Sequence, residues 1–408
     1  FQYIIKEAEA HPEKNYLVIV PEQFTMQTQK ELVRLSSRNA IMNIDILSFQ
    51  RLAYRVFQEL GGQNRPILEE VGKTLVIQRV VQERTEQLGV LGNNLKKAGT
   101  ISEMKSLVSE LMQYDIHPEE IDELIQKSQD RPLLVHKLKD VQVVYEGFVE
   151  YLKDRYITGE EILDVLCDKI EESRLVKNSY VVLDGFTGLT PIQNKFMRKL
   201  LKLAQKVWVT VTVDENASRE KMKSPHHLFH MSEHMIKSLA QLSKEERVEI
   251  EEEWWIHPQK GSRFFDTPAL EFLERNIFRF GNRQFTQEQE HIKIFAASNP
   301  QEEMQEVARR IRKLVRTQGY RYGDFGVITG DLASYGSYAK IAMEECEIPC
   351  FIDEKHSILM NPFVEFVRAS MNMIAEKFSY ESVFRYLRCG LSSLDIHEVD
   401  LLENYCIA

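Results

Sequence analysis

The stretch Ser179–Gln193, Ser-Tyr-Val-Val-Leu-Asp-Gly-Phe-Thr-Gly-Leu-Thr-Pro-Ile-Gln, limits the possible folds more than any other part of this 408-residue chain. An apolar run ending in an aspartate fits a strand buried on both faces, as strands of parallel sheets are. Glycines follow at once, so the strand's C-terminal end presents Asp184 into a crevice. Open α/β sheets bind their ligands there.

The same order recurs upstream. Phe1 to Ala10 has helical spacing, and Tyr16–Val20 is a continuous buried strand ended by Pro21, which has no amide to give to a ladder. Glu22–Thr25 is therefore a loop at the end of a parallel strand. A helix is expected over 26–36, a second strand over 40–47, and a helix over 49–60 capped by Ser48 and closed by Gly61 and Gly62. This predicts one half of a doubly wound sheet, with the loops Gln23–Thr25 and Ser48–Tyr54 on the same rim as Asp184.

Residues 66–173 read as helix throughout. Ile101, Met104, Leu107 and Leu111 follow one helical stripe, and Leu134, Leu138, Val141, Tyr145, Phe148 and Leu152 follow another. Pro118 sits at a helix start, and Thr158-Gly159-Glu160-Glu161 has the form of a capping box. Gly72-Lys73-Thr74 lacks the upstream glycine and the strand of a Walker A loop, and Val71, Leu75, Val76 and Val80 form a helical stripe around it. The sheet resumes at Ser179, continues through a helix over 191–203 and ends in a strand over 207–213. The helical block is thus an insertion into one α/β domain.

The pattern is weak from 214 to 290. His226, His230 and His234 share a helical face that could ligate a metal or simply be solvated. Trp254-Trp255 could stack on a base or pack on the sheet edge. Strands are expected again at 291–297, 324–329 and 346–352, around a helix with core positions Met304, Val307, Ile311 and Leu314, and 361–408 reads as helix. The run Arg309, Arg310, Arg312, Lys313, Arg316 fits a solvated helix face, with DNA contact as the alternative.

The net charge of −10 argues against a protein that coats nucleic acid by bulk electrostatics, yet permits a locally basic channel. No run approaches a membrane span, and no signal peptide is recognisable. Five scattered cysteines in apolar surroundings fit reduced thiols in a cytoplasm, and no metal site is expected. The first residue, Phe1, and the ending at Ala408 suggest a piece of a longer protein.

In P-loop ATPases an aspartate at the position of Asp184 holds Mg²⁺ and is usually followed by a glutamate that orients the attacking water. The segment also resembles motif II of superfamily 1 helicases. It keeps Asp184, Phe186, Thr190 and Gln193, but has Gly185 and Gly188 where both other acids belong. Together with Val20–Thr25, Asp45–Val56, Ala296–Glu303 and Tyr322–Asp331, it closely resembles the AddB family, one of the two kinds of chain in bacterial ATP-dependent helicase/deoxyribonucleases of the AddAB type. The resemblance covers nearly the whole chain and is weakest over 214–290.

The resemblance implies an α/β fold: two RecA-like, superfamily 1 helicase-like parallel-sheet domains with a large all-helical insertion. On this reading 1–64 and 176–290 form the first RecA-like domain and 65–175 the insertion. Residues 291–355 begin the second domain, and 356–408 begin a further helical insertion. The motor is expected to be degenerate at Asp184, Gly185, Gln193 and Gly330, where active relatives carry an arginine at the position of Gly330. The loops bearing Gln23, Thr25, Phe49, Arg51, Tyr54 and Phe186 are implied to face single-stranded DNA and to read the recombination hotspot called Chi. Glutamine and threonine suit base edges, aromatic rings suit stacking, and arginine suits phosphate or guanine.

Phe49 and Tyr54 could instead pack inside the helix. The resemblance further implies a heterodimer with an AddA-type helicase-nuclease subunit, single-stranded and duplex-end DNA as partners, and a place in the bacterial cytoplasm on the nucleoid. It implies ATP with Mg²⁺ and a 4Fe–4S cluster for the full-length family, but no cofactor in this segment. The alternatives are an active superfamily 1 helicase and a scaffold that only docks the partner motor.

Overall fold

The computed structural model describes residues 1–408 except 62–64, 93–97, 215–221, 257–263, 280 and 355–357. Two compact units follow one another, Phe1–Gln287 and Glu288–Ala408. The first begins with α1 (Gln2–Ala10), β1 (Asn15–Ile19), α2 (Thr25–Leu35), β2 (Ile44–Leu47) and α3 (Phe49–Glu59). A two-residue strand, β3 (Ile67–Leu68), leads into the helical block α4 (Glu70–Glu83), α5 (Ala98–Gln113), α6 (Ile121–Lys127) and α7 (Pro132–Leu152). The chain returns through β4 (Ile157–Thr158), α8 (Ile162–Lys169), α9 (Arg174–Lys177), β5 (Ser179–Leu183), α10 (Pro191–Leu203) and β6 (Lys206–Val209).

All four long strands run parallel in the order β2-β1-β5-β6, with Ile19 level with both Leu47 and Leu183. Their apolar side chains point to both faces, so two cores form. Leu17, Ile19, Val181 and Leu183 pack with α3, α8 and α10, while Tyr16, Val18, Val20 and Val182 pack with α1 and α2. β1 is followed by β2 on one side, and the chain then crosses to β5 on the other. The carboxyl ends of β1 and β5 therefore flank a topological switch point, the crevice position of such sheets. Asn43 explains why β2 starts later than expected: its amide donates to the carbonyls of Ala8, His11 and Lys14, fixing an irregular approach. Gly61 has φ +98°, the left-handed geometry that stops a helix, while Gly62 lies outside the described residues.

The helical block is not all helix. It is strung from a parallel two-strand neck in which Ile67 and Leu68 pair with Ile157 and Thr158. The stripe expected on α4 is rotated. Val71 and Leu75 face solvent, whereas Lys73, Val76, Ile77, Val80 and Val81 are inside. Lys73 is turned inward with them, only 3% exposed, and its ammonium donates to Glu70 at 2.7 Å and to both oxygens of Glu160 at 2.8 Å. A short strand does precede Gly72-Lys73-Thr74, but this lysine is engaged by carboxylates and cannot cradle phosphate. The capping box at Thr158 forms: its amide donates to Glu161 at 2.8 Å and its hydroxyl accepts from the amide of Glu161 at 3.3 Å.

The second unit contains the helices Pro300–Gln318, Leu332–Glu345, Pro362–Ala375, Tyr380–Leu387 and Ile396–Ile407. Met304, Ala308, Ile311, Ala342 and Met343 form its core. The strands expected at 291–297, 324–329 and 346–352 are not formed. Among the described residues these runs join no sheet, and Ile294 is 96%, Ile328 97% and Phe351 89% exposed. A strand needs a neighbouring backbone to satisfy its amides and carbonyls, whatever its side chains prefer. The basic helix face is solvated and paired: Arg310 donates to Glu306 at 2.7 Å, and Arg312 lies 3.6 Å from Glu347.

Candidate nucleic-acid interface

Proline at position 21 (φ −53°, ψ 144°) turns the chain out of β1 into a single 3₁₀ turn, Glu22–Phe24, that opens α2. Ser48, directly after β2, caps α3 by accepting from the amide of Arg51 at 3.3 Å. After β5, Gly185 has φ +80°, and a Cβ on it would sit 3.6 Å from the Pro21 ring. Three strand ends are thereby gathered on one rim. The ring of Phe186 meets that of Phe49 at 5.3 Å, and Arg51 Nε donates to Glu22 Oε1 at 3.0 Å.

The rim separates its residues into two layers. Gln23 and Arg51 are exposed, Tyr54 is exposed with its hydroxyl 3.5 Å from the Gln50 amide, and Phe186 is half-buried. Thr25 and Phe49 are not available to a ligand. Thr25 is 6% exposed and its hydroxyl donates to the Glu22 carbonyl at 3.0 Å, shaping the turn. Phe49 is 7% exposed and wedged between the rings of Phe186 and Phe196, the latter 5.6 Å away. Its place in the first turn, facing the sheet, drives it inward, so it supports Phe186 and offers no face of its own. Sequence reasoning passed over Phe24 and Glu22, both exposed; the signal was their place in the same turn as Gln23.

Of the positions expected to form a degenerate motor, Asp184 and Gln193 make structural hydrogen bonds. Asp184 Oδ1 accepts from the Thr210 hydroxyl at 2.5 Å, across the β5–β6 pair. Gly185 holds a left-handed backbone that an L-residue adopts only with strain. Gln193 closes a capping box on α10, accepting from the Thr190 amide at 2.9 Å while its own amide donates to the Thr190 hydroxyl at 3.4 Å. Gly330 belongs to the other unit, exposed with open space where a side chain would begin.

Below the rim a cleft of about 450 Å³ is lined by Gln50, Glu70, Lys73, Glu160, Thr190 and Gln193 among others. Hydrogen bonds from Lys105 and then Lys73 hold the Glu70 carboxyl down at about 2. The Lys73 pKa is raised, because the bonds to Glu160 and Glu70 together outweigh its burial. This donor set does not fit an ATP–Mg²⁺ site. Asp184 at the crevice already accepts from Thr210, and Lys73 in the cleft is paired with Glu70 and Glu160.

Cysteines and histidines give no better metal set. Burial pushes the Cys167 thiol up to about 12, all five thiols are free, and among the described residues no three His, Cys, Asp or Glu side chains converge as ligands. His230 lies at the start of a helix, His230–Glu245, with Nδ1 buried and without a hydrogen bond, and His227 is 4.0 Å from Asp214. Trp254 is exposed and meets Tyr3 edge-on at 5.0 Å, and Tyr3 in turn contacts Trp208 of the edge strand β6. No helix among the described residues is long and apolar enough to cross a membrane.

Residues 1–274 match the family model described as ADDB, N-terminal. Over its full length the chain is similar, at 43% identity, to the B subunit of the ATP-dependent helicase/deoxyribonuclease of Lachnoclostridium phytofermentans, covering 36% of that protein. It is 33% identical over its full length to the like-named protein of Clostridium tetani, covering 36% of it, and 34% identical over 99% of its length to that of Alkaliphilus metalliredigens, covering 35%. The chain thus spans roughly a third of the length of these relatives.

Proposed function

The chain belongs to the AddB family, and from that premise we propose that it is the helicase-like, DNA-binding part of a helicase–nuclease subunit, without a working motor of its own. Double-strand breaks are its setting, processed for recombinational repair in the bacterial cytoplasm on the nucleoid. The observation that carries the reading is the rim: Gln23, Arg51, Tyr54 and Phe186 share the carboxyl end of a parallel sheet whose motor position is the left-handed Gly185. Phe186 offers a ring for base stacking, Gln23 an amide that can pair with a base edge, and Arg51 a cation. A single strand crossing this rim, driven by an AddA-type partner, would be read there for Chi.

Two further parts of the reading come from the family. The first unit's sheet is read as one RecA-like domain, and residues 291–355 as the start of another. ATP with Mg²⁺, and a 4Fe–4S cluster, belong to the full-length assembly, not to residues of this chain. Gly185 argues against an independent helicase, since removing groups that position charge at the transition state costs on the order of several kcal/mol of barrier each. A scaffold that only docks the partner motor would have no use for an exposed Gln23 and Arg51 beside a half-buried Phe186 on one edge.

The test uses the full two-subunit complex. Fluorescence anisotropy would compare wild type with Gln23→Ala, Arg51→Ala and Phe186→Ala on hotspot-bearing and random single strands. Loss of the hotspot preference with retained random binding is expected; a preference that survives all three substitutions moves the reading surface elsewhere.

A further inference from the structure

Arg51 does not stand on the rim as a free cation. Its amide is fixed by the Ser48 cap at 3.3 Å, and its Nε donates to Glu22 Oε1 at 3.0 Å from the turn after β1. Its two terminal nitrogens donate to no other group among the described residues and remain a side-by-side pair. Glu22 also offsets part of the charge of Arg51. A phosphate approaching this position brings a full negative charge towards the Glu22 carboxylate, whereas a neutral base edge with two adjacent acceptors can engage the donor pair with far less repulsion. Guanine offers such an edge in O6 and N7. Phe186 is held against Phe49 in the same helical turn as Arg51, leaving a ring on which that base can stack.

We infer that Glu22 is the positioning residue that turns Arg51 from a phosphate clamp into a guanine reader. The inference rests on the reading of the rim as a single-strand reader and adds to it the base and the residue that enforces it. Both side chains are about half exposed, so neither substitution threatens the fold.

The experiment selects a randomised single-strand pool on the full two-subunit complex, wild type and variants, and measures random-strand affinity against salt. Wild type is expected to enrich guanine at one position, and Arg51→Ala to erase that enrichment. Glu22→Gln should reduce it about tenfold, the scale of one good base contact. The same variant should bind random strands more tightly at low salt, its log–log salt slope steeper by about 0.7, one added phosphate contact. Arg51→Lys should lose the enrichment because an ammonium lacks the paired donors.

If wild type enriches no base, or Arg51→Ala selects the wild-type pool, the rim is not a reader and both proposals fall. If Arg51→Ala erases the enrichment but Glu22→Gln keeps it with an unchanged salt slope, Glu22 has no positioning role and this inference falls alone. Enrichment of cytosine, or of any other base, at the Arg51-dependent position overturns the assignment to guanine.

Discussion

Phe49 and Arg51 stand two residues apart in the first turn of α3, yet one is sealed between Phe186 and Phe196 while the other reaches solvent and Glu22. The same split runs across the rim. Thr25, Asp184, Thr190 and Gln193 bind neighbouring backbone or side chains, while Gln23, Tyr54 and Arg51 remain outward. Motif residues at the mouth of such a sheet thus divide into an inner layer that fixes the loops and an outer layer free to meet a ligand. Substitutions should separate the two, because inner changes register in folding and outer ones in binding.

The largest effect is expected at Phe49. Phe49→Ala should cost roughly 3–5 kcal/mol in chemical denaturation, the range for deleting a buried aromatic ring. A loss under about 1 kcal/mol would place Phe49 in the outer layer after all. Gly185→Glu, which restores the motif's acid, should lower stability by about 1–2 kcal/mol through left-handed strain. It should yield no ATP hydrolysis by this chain in a phosphate-release assay, and measurable turnover would refute the proposed loss of the motor. Thr190→Ala removes the α10 cap and should cost about 1 kcal/mol, seen as a lower melting temperature.

Arg51→Ala should change stability by less than about 0.5 kcal/mol, as solvent-facing substitutions do, while altering DNA binding. A cooperative loss of fold on this change would erase the distinction between the layers. The smallest effect concerns pH. Because the Glu70 carboxyl is held down at about 2, the stability it contributes is full above its ordinary value near 4.5 and is lost as pH falls towards 2. Glu70 is well exposed, so above pH 4.5 wild type should exceed Glu70→Gln in stability only slightly, and acid titration should show that small difference vanish as pH falls towards 2.

Much of the first unit was legible because its strands carry local punctuation. Tyr16–Val20 runs into Pro21 and Val181–Leu183 into Asp184-Gly185, so apolar content and chain breaks agree on where a parallel strand ends. The rim followed from those ends. What was not legible depends on partners distant in sequence. Helical spacing could not say that Lys73 turns inward, because Glu160 lies on the far side of the whole helical block. Spacing also left Phe49 and Tyr54 alike, and only the approach of Phe186 and Phe196 decides that one is packed and the other exposed. The runs around Ile294, Ile328 and Phe351 have the composition of strands but, among the described residues, no ladder to join.

The neck formed by β3 and β4 has a consequence for how such a chain is inherited. The helical block leaves at Leu68 and returns at Thr158, neighbours in one ladder, about 4.8 Å apart as adjacent strands are. A segment whose two ends meet can be lengthened, exchanged or removed as a cassette while the sheet beneath keeps its thread. The helical block and the rim can therefore change in sequence independently of one another.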